Sequence, residues 1–515
     1  MPQQLKKYVC HNSEVLLYTG EPNLELLDDL ARGPGDLWHS ALDQGFKNLF
    51  LEVQYQTAVF WWFLNDFDDL SQCVSWRINP YCFVVREKVW ETFGGFPADY
   101  ASAVTSALDL GFRLLRYGGG IPLHVDGLYE PIKGNHRISA EDRYIFFRKN
   151  FKKRHLYYMF LRELRNNPLR EWKAYIKSEK INPGKNSFPV ISKRALLSIE
   201  REIKVSVVIP TMNRQDFVFQ LLKDFQNQSY PVHEVVIVDA TQPKDRKEIY
   251  NEATLNYKLI VKWQESKGSC RARNEAIKLC TGEYIIFADD DIRVPSDFVE
   301  NHLKYLKTYN AEACTGLDIT ASSISDDLED LATKYSYLPE KIKHAGATQH
   351  FSNANSCVKK EWVDKLHGND VRFDGGYGED SDFGLRLLKQ GVILLYNPFA
   401  VNLHLKPSFG GYADWKKESS FVGKKRKVQM WEGDKPVKYI RPVPSPTVLY
   451  GIMKGFKPDQ VNEYYYKYLF LYLFKNSSEN FLQKVIKLPL KILQLRRSVI
   501  YARLLFEKGE SFESQ

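Results

Sequence analysis

The sequence predicts an α/β protein with a Rossmann-like, mainly parallel sheet and helices on both faces. Two β-branched runs, residues 204–210 and 234–239, flank a stretch from Gln215 to about Gln228 that has helical periodicity. A third apolar run, residues 284–288, ends at three consecutive aspartates. Strands that alternate with helices in this way form parallel sheets. We therefore expect the ends of these strands to meet in one crevice, where α/β sheets bind ligands.

The three aspartates, Asp289, Asp290 and Asp291, are the first candidate for a functional site. Adjacent carboxylates repel one another unless a cation lies among them. A divalent metal that carries a diphosphate would supply that cation, because hard metals prefer carboxylate oxygens. The alternative is a solvated acidic turn before the helix that follows Pro295.

Length and charge set the broad class of the protein. The chain has 515 residues and a net charge of +9, and its length suggests two to four domains. Basic clusters at 148–154, 424–427 and 484–497 suit an anionic membrane surface or a phosphorylated ligand. No nucleic-acid recognition motif accompanies them, so we expect no nucleic-acid partner.

Cysteine usage and hydropathy indicate the compartment. Seven widely spaced cysteines without a CxxC pair argue against a disulfide framework and a structural zinc site. The N-terminus lacks an apolar core of signal-peptide length, and no segment reaches the roughly 18 uninterrupted apolar residues of a spanning helix. We expect a cytoplasmic protein, either soluble or bound peripherally to the cytosolic face of a membrane.

Six short motifs in the second half resemble, in order, those of the inverting GT-A glycosyltransferases of family 2. Each could occur by chance, but all six in the family's order over about 200 residues are a specific signal. The resemblance covers residues from about 203 to 407. The motifs are VSVVIPTMNR (205–214), VVIVDA (235–240), KGSCRARNEAI (267–277), GEYIIFADDD (282–291), GGYGEDSDFGLRLLKQG (375–391) and His404.

The resemblance implies a site for a nucleotide-diphosphate sugar. The turn after the first strand would contact the nucleobase, Asp239 would accept a hydrogen bond from it, and Arg273 at a helix start would face the diphosphate. The family usually has Asp-Asp-Gly-Ser where this chain has residues 239–242, so the base is less defined, although a UDP-sugar is favoured. The alternative for Asp239 is a turn cap. The expected donor-binding residues are Pro210, Thr211, Asn213, Arg214, Asp239, Gly268, Arg273, Asn274, Asp289 and Asp290.

The resemblance also implies a metal and a general base. Mn²⁺ or Mg²⁺ would be held by Asp291, Asp289 and His404, although a lone histidine is more often structural. Asp380, with Glu379 beside it, would deprotonate the acceptor hydroxyl. The alternative is that these two acids only complement a helix dipole. Attack opposite the leaving group would invert the anomeric carbon, so an inverting, hexosyltransferase-like enzyme is implied.

A segment in the first half of the chain is similar in sequence to a segment in the second half. Residues 106–118 parallel residues 379–391, but Ser106 and Ala107 stand where the second half has its Glu-Asp pair. We expect a degenerate GT-A-like domain that binds acceptor glycan or serves as a packing partner. The alternative is a chance match of short helical segments. The matched positions are Asp109 with Asp382, Arg113 with Arg386 and Gly118 with Gly391.

The chain is predicted to divide into four parts. A degenerate domain without catalytic acids spans 1–138, and a helical segment with a linker at 182–187 spans 139–202. A catalytic domain spans 203–410, and a basic helical region spans 411–515. Within that region the segments 463–475 and 480–508 have helical patterns that suit either a membrane-surface element or a helical pair packed on the catalytic domain.

The leading hypothesis is a metal-dependent glycosyltransferase. It would move a sugar to a hydroxyl of a glycan or lipid-linked acceptor during synthesis of a surface polysaccharide such as a capsule or O-antigen. The first alternative is a catalytically inactive GT-A-like protein that binds glycan or acts as a scaffold. The second is a nucleotidyltransferase, which shares an acidic metal site but does not need the Glu-Asp pair.

Overall fold

The computed structural model describes residues 5–54, 63–181, 189–250, 254–264, 268–412, 429–433, 435–437, 439–475 and 479–512. The predicted linker at 182–187 and the basic cluster at 424–427 lie outside these residues. Two compact units divide the chain. Unit 1 comprises Met1–Lys193, His344–Ala347 and Phe456–Ile492, and unit 2 comprises Arg194–Lys343, Thr348–Gly455 and Leu493–Gln515. The region 411–515, predicted as one part, is therefore shared between the units.

The chain alternates strands and helices along most of its length. The strands are β1 Lys6–Val9, β2 Val15–Thr19, β3 Leu37–His39, β4 Gln72–Val74, β5 Phe83–Arg86, β6 Pro122–Val125, β7 Val205–Thr211, β8 Glu234–Asp239, β9 Lys258–Trp263, β10 Tyr284–Phe287, β11 Ile292–Arg293, β12 Ala313–Thr320, β13 Gly346–Ala347, β14 Ser356–Lys359 and β15 Leu394–His404. The helices are α1 Leu27–Arg32, α2 Leu51–Gln54, α3 Glu87–Phe93, α4 Ala103–Arg116, α5 Ala140–Asn150, α6 Lys153–Glu163, α7 Pro168–Ser178, α8 Gln215–Gln226, α9 Ser269–Ile277, α10 Phe298–Tyr309, α11 Leu328–Tyr337, α12 Lys360–Lys365, α13 Glu379–Lys389, α14 Pro446–Gly455, α15 Pro458–Phe474 and α16 Phe481–Glu507.

Unit 2 is built on a sheet with the strand order β11-β15-β12-β14-β10-β7-β8-β9. Strands β10, β7, β8 and β9 are parallel, and β14 runs antiparallel to both β10 and β12. The predicted α/β class is confirmed. The sheet is mixed because the chain reverses at β14, between its two parallel parts.

The parallel strands follow from their sequences. Every residue of β7 and of β8 is buried, as expected for continuous apolar strands that helices cover on both faces. The predicted strands at 204–210, 234–239 and 284–288 are confirmed to within one residue, and the helix predicted from Gln215 is α8. The helices predicted at 463–475 and 480–508 are α15 and α16.

The sheet of unit 1 has the strand order β1-β2-β5-β3-β6-β4 and repeats part of the sheet of unit 2. The strands β2-β5-β3-β6 pair antiparallel, antiparallel and parallel. The strands β10-β14-β12-β15 of unit 2 pair in the same way and occur in the same chain order. A helix begins directly after β5 and directly after β14. The described residues of unit 1 contain no counterpart of the parallel set β7, β8 and β9.

The two segments of similar sequence, residues 106–118 and 379–391, occupy equivalent places in this repeated topology. In α4, Arg113 pairs with Asp109 at 3.0 Å, and in α13 Arg386 pairs with Asp382 at 2.9 Å. Both are i,i+4 ion pairs on the helix that precedes the last matched strand of its sheet. The matched residues therefore form the same local contact twice.

Two further features concern the whole chain. All seven cysteines are free thiols. Among the residues that the structure describes, no helix combines the length and apolar character needed to span a bilayer.

A buried ionic cluster joins the last part of the chain to α13 in unit 2. Lys454 of α14 contacts Asp370, Asp382 and Glu510 at 2.9, 2.6 and 2.8 Å. The side chains of Asp370 and Asp382 are almost fully buried, and Asp370 also accepts a hydrogen bond from Tyr450 at 2.6 Å. Because buried carboxylates need compensating charge, Lys454 stabilises both α13 and the segment near Glu510.

We expect Lys454→Met to lower the free energy of unfolding by about 3 kcal/mol, because it leaves buried carboxylates without their cation. The matched control is Lys360→Met, which removes a partly exposed i,i+4 pair with Asp364 and should change stability by less than about 0.5 kcal/mol. Urea unfolding of both variants measures the difference. Equal, small effects would contradict a stabilising role for the cluster.

Candidate functional site

The acidic residues lie at the carboxyl edge of the parallel strands in unit 2. Thr211 at the end of β7 pairs in register with Asp239 at the end of β8. Asp289, Asp290 and Asp291 follow β10, the other neighbour of β7. The structure therefore brings together the three strand ends that the sequence predicted to meet.

A candidate metal site consists of Asp289, Asp291 and His404. One potential ligand atom from each lies within 4.8 Å of the others. The antiparallel pairing of β11 with β15 explains the arrangement, because it sets His404 opposite Ile292, the residue after Asp291. His404 is the last residue of β15.

The surroundings of His404 fit a metal ligand. Its Nε2 lies 3.2 Å from Asp291, and its Nδ1 lies 3.1 Å from Asp318. A carboxylate behind the ring of a ligating histidine fixes its orientation and tautomer, and Asp318 is in that position. Burial opposes protonation, but Asp291 and Asp318 together raise the pKa of His404 to about 10. Two carboxylates and an imidazole thus form a donor set that a divalent cation would satisfy.

Arg214 supplies positive charge to the other side of the aspartates. Its guanidinium lies 2.9 Å from Asp290 and 2.9 Å from Asp291, and Phe409 accepts a hydrogen bond from its Nε at 3.0 Å. Burial and the neighbouring Asp291 raise the pKa of Asp290 to about 7. Burial has the same tendency at Asp291, but His404 and Arg214 outweigh it and lower the pKa of that carboxyl. The sequence predicted that Arg214 binds the donor. In the structure its guanidinium pairs with the carboxylates of Asp290 and Asp291.

Arg273 contacts Asp289, and its charge favours the ionised form of the predicted base Asp380. Its Nη2 donates to Asp289 at 2.5 Å, and the side chain is almost completely buried. Its Nε and Nη1 have no hydrogen-bond partner among the described residues. Buried donors without partners are costly, so an anion bound here would satisfy two N–H groups of Arg273.

The predicted base, Asp380, is in the first turn of α13, after Gly378, whose φ of 108° favours glycine. Asn353 donates its amide hydrogen to Asp380 Oδ1. Burial and Glu379 raise the pKa of Asp380 well above its usual range, while the charge of Arg273 and a hydrogen bond from the Asn353 backbone act in the opposite direction. Asn353 was not predicted as a site residue, because one asparagine in a loop carries no distinguishing signal in a sequence.

Asn274, which was predicted to contact the donor, bonds to the backbone of other segments. Its Nδ2 donates to the carbonyl oxygens of Asn369 and Phe512 at 2.7 and 3.1 Å, and its Oδ1 accepts from the Asn369 N–H at 2.7 Å. These bonds occupy the amide with backbone groups of two other segments. The side chain therefore joins segments of unit 2, and it does not contact the aspartates.

The start of α9, expected to face a diphosphate, is occupied by Asp374. This carboxylate accepts a hydrogen bond from the Cys270 N–H at 2.8 Å, and burial raises its pKa to about 7. A Cβ added at Gly268 would lie 2.2 Å from Asp374 Oδ2, so the glycine permits the approach. Gly268 thus accommodates a capping carboxylate of the chain itself.

Asp239 and Thr211 are both fully buried. Asp239 accepts hydrogen bonds from the Thr241 N–H at 2.8 Å and the Tyr250 hydroxyl at 2.9 Å, which corresponds to the turn-cap alternative. Thr211 donates to Asp290 at 2.8 Å, and Pro210 is inside β7. Of the predicted donor turn, Asn213 is exposed, with a positive φ of 57°.

The corresponding edge in unit 1 is filled by the chain itself. Asn23 donates its N–H to the Leu128 carbonyl at 2.8 Å, and the Tyr129 hydroxyl donates to the Thr19 carbonyl at 2.8 Å. Gln44 contacts the Glu130 carbonyl through its Nε2 at 3.0 Å. The segment after β6 therefore covers the ends of β2 and β3. Strand β2 is the counterpart of β10, after which unit 2 has its three aspartates.

Comparison with known proteins identifies the class of the domain. Residues 206–365 match the model of the family described as glycosyl transferase family 2, so this part of the chain is a family 2 glycosyltransferase domain. The match ends before Glu379, Asp380 and His404.

Similar curated proteins share only parts of the chain. A poly(ribitol-phosphate) beta-glucosyltransferase of Bacillus spizizenii is 31% identical over 127 residues, which are 24% of this chain and 19% of that protein. The Escherichia coli protein WfaP, a UDP-Glc:alpha-D-GlcNAc-diphosphoundecaprenol beta-1,3-glucosyltransferase, is 28% identical over 188 residues, 36% of this chain and 71% of that protein. The first of these matches thus spans about a fifth of the relative's length. A solved structure of S. aureus TarS with UDP-GlcNAc aligns with a TM-score of 0.40 and 16% identity, over 58% of this chain and 82% of that one.

We expect Asp291→Asn to abolish tight Mn²⁺ binding, because the remaining ligands carry too little negative charge. Asp318→Asn should weaken it by about 10- to 100-fold, since Asp318 supports His404 without being a ligand. Electron paramagnetic resonance of free Mn²⁺, in a titration with UDP present, measures both effects. The control is Asp364→Asn at a half-exposed carboxylate. Unchanged Mn²⁺ affinity in Asp291→Asn would rule out this metal site.

Proposed function

We propose that this protein is a metal-dependent, inverting glycosyltransferase that moves a sugar from a nucleotide-diphosphate donor to an acceptor hydroxyl. The observation that carries the proposal is that Arg273 acts on two acidic centres. It contacts Asp289 of the candidate metal site, and its charge acts on the candidate base Asp380. An anion that satisfies the unpartnered N–H groups of Arg273 would therefore lie beside the candidate metal site.

The donor would bind with its diphosphate near Asp289, Asp291 and His404. These three residues would hold Mn²⁺ or Mg²⁺, which would neutralise the charge that develops on the departing diphosphate. Arg273 would contribute hydrogen bonds to the same oxygens. Arg214 already balances Asp290 and Asp291, so it would adjust its contacts when a cation adds positive charge beside it.

On the acceptor side, Asp380 would act as general base. The acceptor oxygen would attack the anomeric carbon, its proton would pass to the Asp380 carboxylate, and the bond from that carbon to the diphosphate oxygen would break. Because Oδ1 already accepts from Asn353, Oδ2 is the oxygen assigned to the proton. Attack from the side opposite the diphosphate inverts the anomeric configuration.

The relatives support a particular donor and acceptor class. One is named for a UDP-glucose donor and a diphosphoundecaprenol-linked acceptor, and another for a poly(ribitol-phosphate) acceptor. We therefore assign a UDP-hexose as donor and a glycan or lipid-linked glycan as acceptor, in the synthesis of a surface polysaccharide. An acceptor carried on a lipid would bring the reaction to the cytosolic face of a membrane.

The repeated sheet topology and the shared ion pair support unit 1 as a degenerate copy of part of unit 2. Ser106 and Ala107 replace the Glu-Asp pair there, and the edge that would correspond to the crevice is filled by the segment after β6. These observations favour a packing role over acceptor binding at that edge. We therefore infer that the described residues form a single active centre, in unit 2.

The direct test incubates the full chain with a panel of nucleotide sugars and Mn²⁺ and follows the released nucleotide. A transferase releases nucleoside diphosphate, by slow donor hydrolysis or by transfer to added acceptor. Asp380→Asn and Asp291→Asn should each reduce release at least about 100-fold, because general base and metal contribute factors of this order. Pyrophosphate release would favour the nucleotidyltransferase alternative. Equal turnover in wild type and both variants would leave only a binding or scaffold role.

Asn353→Ala provides a test of the base that does not depend on loss of folding. The side-chain amide of Asn353 donates to the Asp380 carboxylate, and a hydrogen bond to the ionised form favours that form, so removing the amide should raise the pKa of Asp380 further. A base works only when deprotonated, so the acidic limb of the kcat/KM profile should move to higher pH. The donor-induced thermal shift should stay unchanged, and so should the profile of the control Asn227→Ala. An unmoved acidic limb would contradict the assignment.

A further inference from the structure

Unit 1 exposes an apolar stripe on the first half of α16. The stripe consists of Leu482, Ile486 and Leu490, spaced four residues apart on one face of the helix. Leu482 is 68% exposed and Ile486 is 71% exposed. Phe481 and Val485 lie on the neighbouring face and are also exposed. Single exposed apolar residues are normal on protein surfaces, whereas a contiguous set of this kind indicates an interaction site.

The stripe continues into the helix that precedes it. The ring of Phe481 lies 5.9 Å from that of Phe474 at the end of α15, and Phe474 lies 4.6 Å from Phe470. Phe474 is itself exposed, while Phe470 packs on Tyr158 of α6 at 5.1 Å. The apolar surface is therefore anchored on packed helices of unit 1.

Helix α7 of the same unit has a second outward apolar face. Leu169, Trp172 and Ile176 are exposed at a spacing of three and four residues, while the opposite face with Glu171 and Tyr175 is buried. Trp172 lies 5.8 Å from Phe160 of α6, so α6 packs between α7 and α15. Helices α7, α6 and α15 and the start of α16 form one helical layer, here called the helical layer.

The charge of the helical layer is strongly positive on its outside. Residues 480–492, the part of α16 that belongs to unit 1, contain three lysines and no acidic residue, and one of these lysines, Lys484, is buried. Residues 152–180 contain nine lysines and arginines and three glutamates. In the α6–α7 segment, Glu163 and Glu171 are buried in ion pairs with Arg162 and Arg143, whereas Lys173 and Lys180 are exposed. Glu479 beside α16 is neutralised by Lys487 at 2.6 Å. The helices that carry the exposed apolar groups thus have an excess of basic residues.

We propose that the helical layer of unit 1 docks on the surface of an anionic lipid bilayer. Apolar side chains on a helix with basic neighbours enter the boundary between headgroups and acyl chains, and the cations attract anionic headgroups. Aromatic side chains such as Trp172 and Phe474 prefer that boundary. A protein partner would need acidic complementarity to the same surface, whereas a bilayer supplies negative charge and an apolar phase together. The proposal does not depend on the transferase chemistry.

The test is co-sedimentation of the full chain with vesicles of phosphatidylcholine alone or with about 30% phosphatidylglycerol. The wild type should bind the anionic vesicles, and binding should weaken as salt rises. Ile486→Glu together with Leu482→Glu should reduce binding at least about tenfold, because two apolar contacts are lost and two negative charges are added. Both side chains are exposed, so the double variant should retain the wild-type unfolding temperature.

The matched control is Ile324→Glu, at an isoleucine of unit 2 that is 50% exposed. It adds one negative charge elsewhere and should bind vesicles within about twofold of wild type, since one distant charge contributes little. Failure of the wild type to sediment with anionic vesicles would overturn the proposal. Equal losses of vesicle binding in the control and the double variant would also overturn it. Self-association of the wild type that Ile486→Glu abolishes would overturn it too, because it would assign the surface to a second copy of the chain.

Discussion

The repulsion among Asp289, Asp290 and Asp291 is the constraint on which the site of unit 2 depends. Three carboxylates at one strand end require cations from several directions, and the structure supplies Arg214, Arg273 and His404 from three separate segments. Two of these cations are held in turn by another element: Phe409 accepts a hydrogen bond from Arg214, and Asp318 supports His404. The triad therefore organises the turn after β7, the start of α9 and the end of β15 around itself.

The parallel half of the sheet could be predicted because its signal is local. Buried β-branched runs and their spacing are visible in the sequence, and strand ends in such sheets share one edge. His404 was found through the resemblance to a family, and its contact with Asp291 follows from the pairing of β11 with β15. That pairing joins residues more than a hundred positions apart, so no local sequence pattern predicts it.

What sequence reasoning could not provide is the direction of a side chain. Asn274 and Arg273 are neighbours on α9, yet one joins Asn369 and Phe512 while the other reaches Asp289. A helix turns by about 100° per residue, so adjacent residues face different parts of the domain. Asp374 was missed for a related reason, because its place at the start of α9 results from tertiary contact with Gly268. The role of Asn353 likewise could not be predicted, because it depends on the contact with Asp380.

The contacts of Lys454 and Asn274 extend the site to the last described residues of the chain. Glu510 pairs with Lys454, Ser511 donates its N–H to Asp370, and the Phe512 carbonyl accepts from Asn274. One short segment thus holds both the helix of Arg273 and the helix of Asp380. Removal of residues 509–512 would therefore take away contacts that hold both helices while leaving Arg273 and Asp380 themselves intact.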